Sequence, residues 1–227
     1  MKLHPIITCE HAGNFVPPGF THLFEGLEEV LNSHRGWDPG ALEVAGFLAE
    51  KLAAPFFKCE ITRLLVEPNR SLTSSFLFSE YAQGLTSAEK EEVLQRYYFQ
   101  HRNGVEELIR KSLKKILHIS IHTFTPVWNE TTRQVDVGLL FDPSRRSESE
   151  FCNLYYPEIK QRLPSLRVEF NEPYKGIDDG FTTYLRTLFG DVEYLGIEIE
   201  INQKYLGSDA WEAISKTLYE ALQKCLD

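Results

Sequence analysis

The sequence predicts an α/β protein, built on a mainly parallel sheet with helices on both faces. Short apolar runs alternate along the 227-residue chain with longer segments of helical periodicity, and this alternation is typical of parallel sheets. The composition, 42% hydrophobic and 25% charged, is that of a globular protein. Because no repeat, low-complexity tract or linker divides the chain, we expect a single domain over residues 1–227.

Eleven segments are expected to form the secondary structure. Apolar, β-branched runs predict strands at residues 4–9, 56–61, 116–123, 134–141, 166–171 and 194–202. Apolar periodicity predicts helices at residues 39–52, 87–115, 147–162, 180–189 and 209–226. The first helix has the clearest start, because Asp38 is a suitable N-cap and Pro39 suits the first helical position. Ligands of such sheets bind at the carboxyl ends of the strands, so residues that directly follow a strand are the first to consider.

Charge and cysteine content exclude several classes of function. The net charge is −9 and no basic stripe is present, which argues against a nucleic-acid partner and against an anionic membrane surface. No signal peptide or long apolar run is apparent. The four cysteines are scattered without a CxxC pair, as expected for reduced thiols in a cytoplasmic protein. We therefore expect a cytoplasmic protein, monomeric or homo-oligomeric, with a small-molecule partner.

Two histidines stand at corresponding ends of predicted strands. His11 follows the first strand in "TCEHAG", and His122 ends "ILHISIHT", in which His118, Ser120 and His122 share one face. Two imidazoles with one carboxylate and an open position are the ligand set of a catalytic zinc site. A hydrogen-bonded histidine at a strand end is the simpler explanation of either residue alone. For two histidines in matching positions the two explanations are about equally good.

The third metal ligand has three candidates. Asp38, in "HRGWDPGA", is the preferred one, although an N-cap aspartate needs no metal to explain it. His34 lies in the same segment. Glu10 is adjacent to His11, but neighbouring residues of a strand point to opposite faces, so both bind one ion only if the strand has already ended.

Further candidates are a glutamate pair and several cations. In "GIEIEIN", Glu198 and Glu200 share one face of a strand; a solvated face is the simpler explanation, and a general base is the functional one. Asn69 and Arg70 end the run "TRLLVEPNRS" and suit the capture of a carboxylate, whereas a surface salt bridge is the ordinary role of one arginine. Other cations near predicted strand or helix ends are Arg63, Arg133 and Arg186.

Taken together, these segments resemble the N-formylglutamate amidohydrolase family. The matching pieces occur in the family's order between residue 8 and about residue 202. They are "CEHAGNFVP", "HRGWDPGA", "TRLLVEPNRS", "YYFQHRNGVEELI", "SIHTFTP", "DVGLLFD", "NEPYKGIDDGFTTYLR" and "GIEIEIN". The family is similar in fold to zinc carboxypeptidases and aspartoacylase-like enzymes. The resemblance therefore implies a mixed, mostly parallel sheet of the phosphorylase/hydrolase type, in place of a purely parallel one.

The resemblance also implies zinc-assisted hydrolysis of a small N-formyl or N-acyl amino acid, with another divalent metal as an alternative. His11, Asp38 and His122 then match the metal ligands, and Glu198 matches the general base. Asn69 and Arg70 look like the pair that holds the substrate carboxylate. Arg63 and Arg133 are expected to hold a second carboxylate or the oxyanion. No role is assigned to His101.

The chain departs from the family pattern in two places. Glu67 and Pro68 precede Asn69–Arg70, where an Asp-containing stretch is usual, and Glu200 and Asn202 stand where an arginine and then an aspartate are expected. The second change puts an anion where a cation would pair with a substrate carboxylate, and it bears on the identity of the substrate. The alternative function is that of a catalytically degenerate relative that binds a small anionic ligand. A third is the same machinery acting on a peptide or an ester.

Overall fold

The computed structural model describes residues 3–227, and its central element is a six-stranded sheet. The sheet has the order β2-β1-β3-β8-β6-β7. Its strands are β1 (His4–Cys9), β2 (Phe56–Lys58), β3 (Ile116–Phe124), β6 (Val137–Leu140), β7 (Val168–Phe170) and β8 (Tyr194–Asn202). A separate antiparallel pair is formed by β4 (Val127–Trp128) and β5 (Thr131–Thr132). All six predicted strands are therefore present, several of them shorter than predicted.

The sheet is mixed. Strands β2, β1, β3 and β8 are parallel neighbours, whereas β6 runs antiparallel to β8 and carries β7 parallel to itself. The direction of β6 and β7, opposite to that of the other four strands, is the one departure from the mainly parallel sheet expected from the strand–helix alternation. The mixed, mostly parallel sheet that the resemblance implied is confirmed.

Helices cover both faces of the sheet. They are α1 (Glu28–Leu31), α2 (Ala41–Leu52), α3 (Ser87–Val93), α4 (Phe99–Lys111), α5 (Arg146–Arg162), α6 (Phe181–Leu188) and α7 (Asp209–Leu226). One hydrophobic cluster packs α2, α5 and α7 against one face, and a second packs α4 and α6 against the other. Within residues 3–227 no helix combines the length and the apolar character needed to span a bilayer.

The predicted helices differ from the observed ones at two places. The segment expected as one helix over 87–115 is interrupted by a π-helical turn, Leu94–Tyr98, and ends at Lys111. The helix expected to begin at Pro39 begins at Ala41, and its N-cap is Gly40, with φ +86°. The role of Asp38 as an N-cap is therefore wrong: its side chain makes no capping hydrogen bond and turns instead towards two histidines.

The sheet register brings the polar ends of three strands together. Ser120 of β3 pairs with Glu198 of β8, and His122 pairs with Glu200. Residues paired in this way point to the same face, here the face covered by α4 and α6. Strand β1 ends at Cys9 on the other side of β3, so the chain after it reaches the same edge.

Candidate active site and metal-binding cluster

Two histidines and one aspartate converge at the carboxyl ends of β1 and β3. His11 lies in the turn just after β1, and His122 lies near the end of β3. Asp38 is brought beside them by the loop before α2, in which its backbone N–H donates to the carbonyl of His11 at 3.1 Å. All three side chains are buried, with 2–4% of their surface exposed.

The three side chains direct one atom each at a common point. Nδ1 of His11 lies 3.2 Å from Nδ1 of His122, and the two nitrogens lie 3.1 and 3.0 Å from Oδ2 of Asp38. Ligands bound to a tetrahedral metal ion at roughly 2.1 Å stand about 3.4 Å apart, so this spacing fits such an ion. Asp38, His11 and His122 form a group able to hold a metal.

The other ring nitrogen of each histidine faces a carboxylate. Nε2 of His11 lies 2.5 Å from Oε1 of Glu67, and Nε2 of His122 lies 3.2 Å from Oε2 of Glu10. Metal-ligating histidines characteristically donate their second N–H in this way, which leaves the opposite nitrogen free for the metal. The donor set and its surroundings therefore suit a divalent cation.

Charges within the cluster stabilise Asp38 and Glu67 as carboxylates. Burial disfavours their ionisation, but His11, His122 and Arg63 outweigh it around Asp38 and hold its pKa well below the usual value. Around Glu67, Arg63 and His11 likewise outweigh burial and lower the pKa. Both side chains are therefore anionic at neutral pH.

The cluster forms part of the wall of a cavity of about 790 Å³. The cavity is lined by charged, amide and aromatic side chains from loops at the carboxyl edge of the sheet. They include His11, Asp38, His122, Arg63, Glu67, Asn69, Arg70, Trp128, Tyr174, Lys175, Glu198 and Glu200. A cavity of this size holds a small organic molecule.

Glu198 and Glu200 both face this cavity, and the solvated strand face considered from the sequence is wrong. Glu198 is 9% exposed and accepts a hydrogen bond from the hydroxyl of Thr182. Glu200 is 6% exposed, and its Oε2 has no hydrogen-bond partner within residues 3–227. Burial, with the nearby charges of Asp38 and Glu198, raises the pKa of Glu200 to about 8 despite the opposing effect of His122. A carboxyl in this state can exchange a proton near neutral pH.

Asn69 and Arg70 also line the cavity. Oδ1 of Asn69 accepts a hydrogen bond from the backbone N–H of Phe181 at 2.6 Å, which leaves its amide NH₂ available. The Arg70 guanidinium donates to the carbonyls of Asn69 and Asp179 at 3.2 and 2.6 Å. Carbonyls orient the guanidinium without neutralising it, so its charge remains available to an anionic ligand.

Arg63 and Arg133, the other two arginines for which the resemblance implied a role, differ from Arg70. Arg63 forms ion pairs with Asp38 at 3.2 Å and with Glu67 at 2.5 Å, so its charge is already balanced. The Arg133 guanidinium lies 5.1–5.4 Å from the ring centres of Phe124, Trp128 and Tyr174, the distance of cation–π contacts. Arg133 is not among the residues that line the cavity, although Trp128 and Tyr174 are.

The two alternatives for the third ligand lie outside the cluster. His34 is exposed and packs edge-on against Trp128, with 6.0 Å between ring centres. Glu10 is completely buried behind His122, where the Ser120 hydroxyl donates a hydrogen bond to it.

Glu67 is a functional residue that the sequence did not reveal. It was noted there only as a departure from the family pattern. Its place two residues before Asn69, as a single charge after the apolar residues 64–66, is the one signal that could have drawn attention to it.

Comparisons with known proteins identify the family and the fold. The model of the N-formylglutamate amidohydrolase family matches residues 4–206. A gene product of Agrobacterium tumefaciens of known structure shares 30% identity, with a TM-score of 0.84 over 99% of this chain and 91% of that one. An N-formylglutamate amidohydrolase from Ralstonia eutropha shares 15% identity, with a TM-score of 0.73 over 100% of this chain and 94% of that one.

A third structure, the CwlD amidase of Clostridioides difficile, shares 15% identity, with a TM-score of 0.51 over 98% of each chain. At this identity the last two similarities concern the fold alone. No curated protein sequence matches the chain. Since the family model covers residues 4–206, which is most of the chain, the chain belongs to the N-formylglutamate amidohydrolase family.

Proposed function

We propose that this protein is a metal-dependent amidohydrolase that cleaves the amide bond of a small N-formyl or N-acyl amino acid, such as N-formylglutamate. The observation that carries the proposal is the convergence of two imidazole nitrogens and a carboxylate oxygen within 3.0–3.2 Å of one another. They lie on the wall of a cavity that Glu198 and Glu200 also line. Family membership supports amide hydrolysis as the reaction class.

His11, Asp38 and His122 would hold the metal, with zinc as the first choice. Imidazole and carboxylate ligands also suit other divalent ions. When bound, such an ion lowers the pKa of a water molecule to about 7 and polarises an acyl oxygen. The three side chains leave the cavity side of the cluster open to a substrate.

Glu198 is the proposed general base. It faces the cavity and would take a proton from the attacking water and return it to the leaving amine. Glu200 is a second candidate for the same role, because one of its carboxyl oxygens has no partner within residues 3–227. With a pKa of about 8, only its ionised fraction would accept the proton at neutral pH. The two glutamates lie on one face of β8, and substitution of each in turn distinguishes them.

One amide and three arginines in or near the cavity are proposed to orient the substrate. The amide of Asn69 and the unneutralised guanidinium of Arg70 are proposed to hold the substrate carboxylate, so that the acyl group extends towards the histidines. Arg133 is proposed to support the oxyanion, which requires it to reach past the aromatic rings that now surround it. Arg63 is proposed to hold a second substrate carboxylate, although its ion pairs favour a structural contribution instead.

The alternative function is that of a non-catalytic relative that binds a small anion. What favours it is that Glu200 and Asn202 depart from the arginine and aspartate expected after the general base, while the guanidinium of Arg70 still lines the cavity. The same cavity supports a small-molecule partner in either case. The cytoplasm remains the proposed compartment, supported by four free cysteines.

A panel of N-formyl and N-acetyl amino acids, assayed for release of the free amine, tests the proposal. We expect turnover of at least one acidic member, and a loss of about 10²–10⁴-fold in kcat for Glu198→Gln with Zn²⁺ still bound. Glu200→Gln is the matched variant: if it alone loses activity, Glu200 is the base. Binding of the same compounds without turnover by wild-type protein carrying Zn²⁺ would instead support the anion-binding function.

A further inference from the structure

A carboxylate is completely buried one residue before His11. Glu10 has 0% of its surface exposed, and its ion-pair partners within residues 3–227 are two histidines, His101 at 3.2 Å and His122 at 3.2 Å. Removing a carboxylate from water costs several kcal/mol unless hydrogen bonds and an opposite charge compensate. A carboxylate buried in this way is expected to hold the groups that it contacts in a defined orientation.

Glu10 is linked to His122 by a hydroxyl as well as directly. The Ser120 hydroxyl donates to Oε2 of Glu10 at 2.5 Å, so its oxygen is left to accept from Nε2 of His122 at 2.9 Å. With Ser120 as acceptor and Glu10 only 3.2 Å away, Nε2 of His122 must carry a proton. A neutral His122 then has its lone pair on Nδ1, the atom that faces His11 and Asp38.

His101 fixes the other end of Glu10. Its Nε2 lies 3.2 Å from Oε1 of Glu10, while its ring packs 5.7 Å from Phe181. With one oxygen held from α4 and the other from β3, the carboxylate cannot turn away from Ser120. This contact gives His101, on the first turns of α4, a function that its sequence position did not reveal.

We propose that Glu10, held in place by His101, is a positioning residue that keeps His122 in the tautomer able to bind a divalent cation through Nδ1. The inference rests on the proposed function, since it assumes that the cluster binds a metal. This contribution of Glu10 is separate from that of Glu67. Glu67 faces the cavity, and its carboxylate contacts both His11 and Arg63.

Zinc affinity is the quantity that tests this assignment. We expect Glu10→Gln, which keeps the shape and removes the charge, to weaken Zn²⁺ binding by about 10–100-fold in calorimetric titrations. His101→Leu, which removes the donor to Glu10, is expected to weaken binding in the same direction. His101→Gln, which restores a donor near the position of Nε2, is expected to recover most of the lost affinity.

His118→Gln is the matched control. His118 is buried on the same face of β3, but it bonds to Thr8 and Tyr194, not to Glu10 or His122. We expect its Zn²⁺ affinity to equal that of the wild type. The visible absorption of bound Co²⁺ reports separately whether the ligand geometry changes in each variant, and thermal unfolding shows whether each one is folded.

The outcomes separate the two claims. If Glu10→Gln bound Zn²⁺ as tightly as the wild type, with an unchanged Co²⁺ spectrum, the assignment to Glu10 would be overturned and the proposed function would stand. If His101→Leu does not fold, the comparison of Glu10→Gln with His118→Gln still decides. A folded wild-type protein that bound neither Zn²⁺ nor Co²⁺ would overturn the proposed function, and the inference with it.

Discussion

Replacing Glu200 by glutamine is expected to remove a pH dependence from the stability of the metal-free protein. Glu200 is buried, one of its oxygens has no partner within residues 3–227, and its pKa is raised from 4.5 to about 8. Between these values the folded protein keeps a proton that the unfolded chain has released. The free energy of unfolding therefore falls as the pH rises through this window.

The shift of the Glu200 pKa sets the size of the effect. A change from 4.5 to about 8 corresponds, at about 1.4 kcal/mol per pH unit, to an upper limit of about 5 kcal/mol. Between pH 5 and pH 8 this shift accounts for about 3.5 kcal/mol, and solvent in the cavity beside Glu200 screens part of it, so we expect a loss of roughly 2–3 kcal/mol in this range. Glutamine keeps the shape of the side chain and does not ionise in this range.

Urea unfolding in the presence of a chelator, at intervals from pH 5 to pH 8, measures the effect. We expect the stability of Glu200→Gln to decline less with pH than that of the wild type, so that the variant is the more stable protein at pH 8. Glu198→Gln is the comparison variant: it keeps Glu200 but removes one of the charges that raise the Glu200 pKa, so we expect its pH dependence to be only partly reduced. Parallel stability curves for the wild type and Glu200→Gln would refute this reasoning.

Three further predictions concern substrate, burial and metal. Arg70→Gln is expected to raise KM by about 10–100-fold, because it removes a charge-assisted hydrogen bond to the substrate. The control Arg96→Gln, at an exposed arginine paired with Glu92, is expected to leave steady-state kinetics unchanged. Equal effects of the two substitutions would argue against a substrate carboxylate bound at Arg70. Burial lowers the pKa of His118 to about 4, so between pH 6.5 and pH 4 the unfolded chain binds a proton that the folded protein does not. The free energy of unfolding of the wild type should therefore fall by up to about 3 kcal/mol as the pH drops through this range. A fall of the same size in His118→Gln would show that His118 is not its cause. Removing metal by dialysis against a chelator should lower the thermal unfolding midpoint measured by calorimetry. Added Zn²⁺ at about 1,000 times its Kd should raise the free energy of unfolding by about 4 kcal/mol. An unchanged midpoint would count against a bound ion.

The strands of the site could be predicted from the sequence because their signals are local. The apolar alternation of "ILHISIHT" and "GIEIEIN" identifies two central strands and the shared face of His118, Ser120 and His122. The position of His11 at a strand end follows from the same reasoning. Neither the antiparallel direction of β6 nor the short helix α1 has such a local signal, and only the resemblance implied the mixed sheet.

The orientation of the acidic residues could not be predicted, because it depends on tertiary packing. Asp38 has the sequence context of an N-cap, yet the nearby imidazoles and Arg63 attract its carboxylate more strongly than the helix terminus does. Glu200 has the pattern of a solvated strand face, but loops around the cavity bury it. Glu10 and Glu67 are far apart in sequence, and only the fold reveals that each faces one of the two histidines.

A crystal structure of the protein soaked in Zn²⁺, with anomalous data collected at the zinc edge, tests the central claim most directly. We predict one strong anomalous peak within about 2.0–2.2 Å of Nδ1 of His11, Nδ1 of His122 and Oδ2 of Asp38. A peak coordinated by other side chains would contradict the account, and so would the absence of any peak between these three atoms at saturating Zn²⁺.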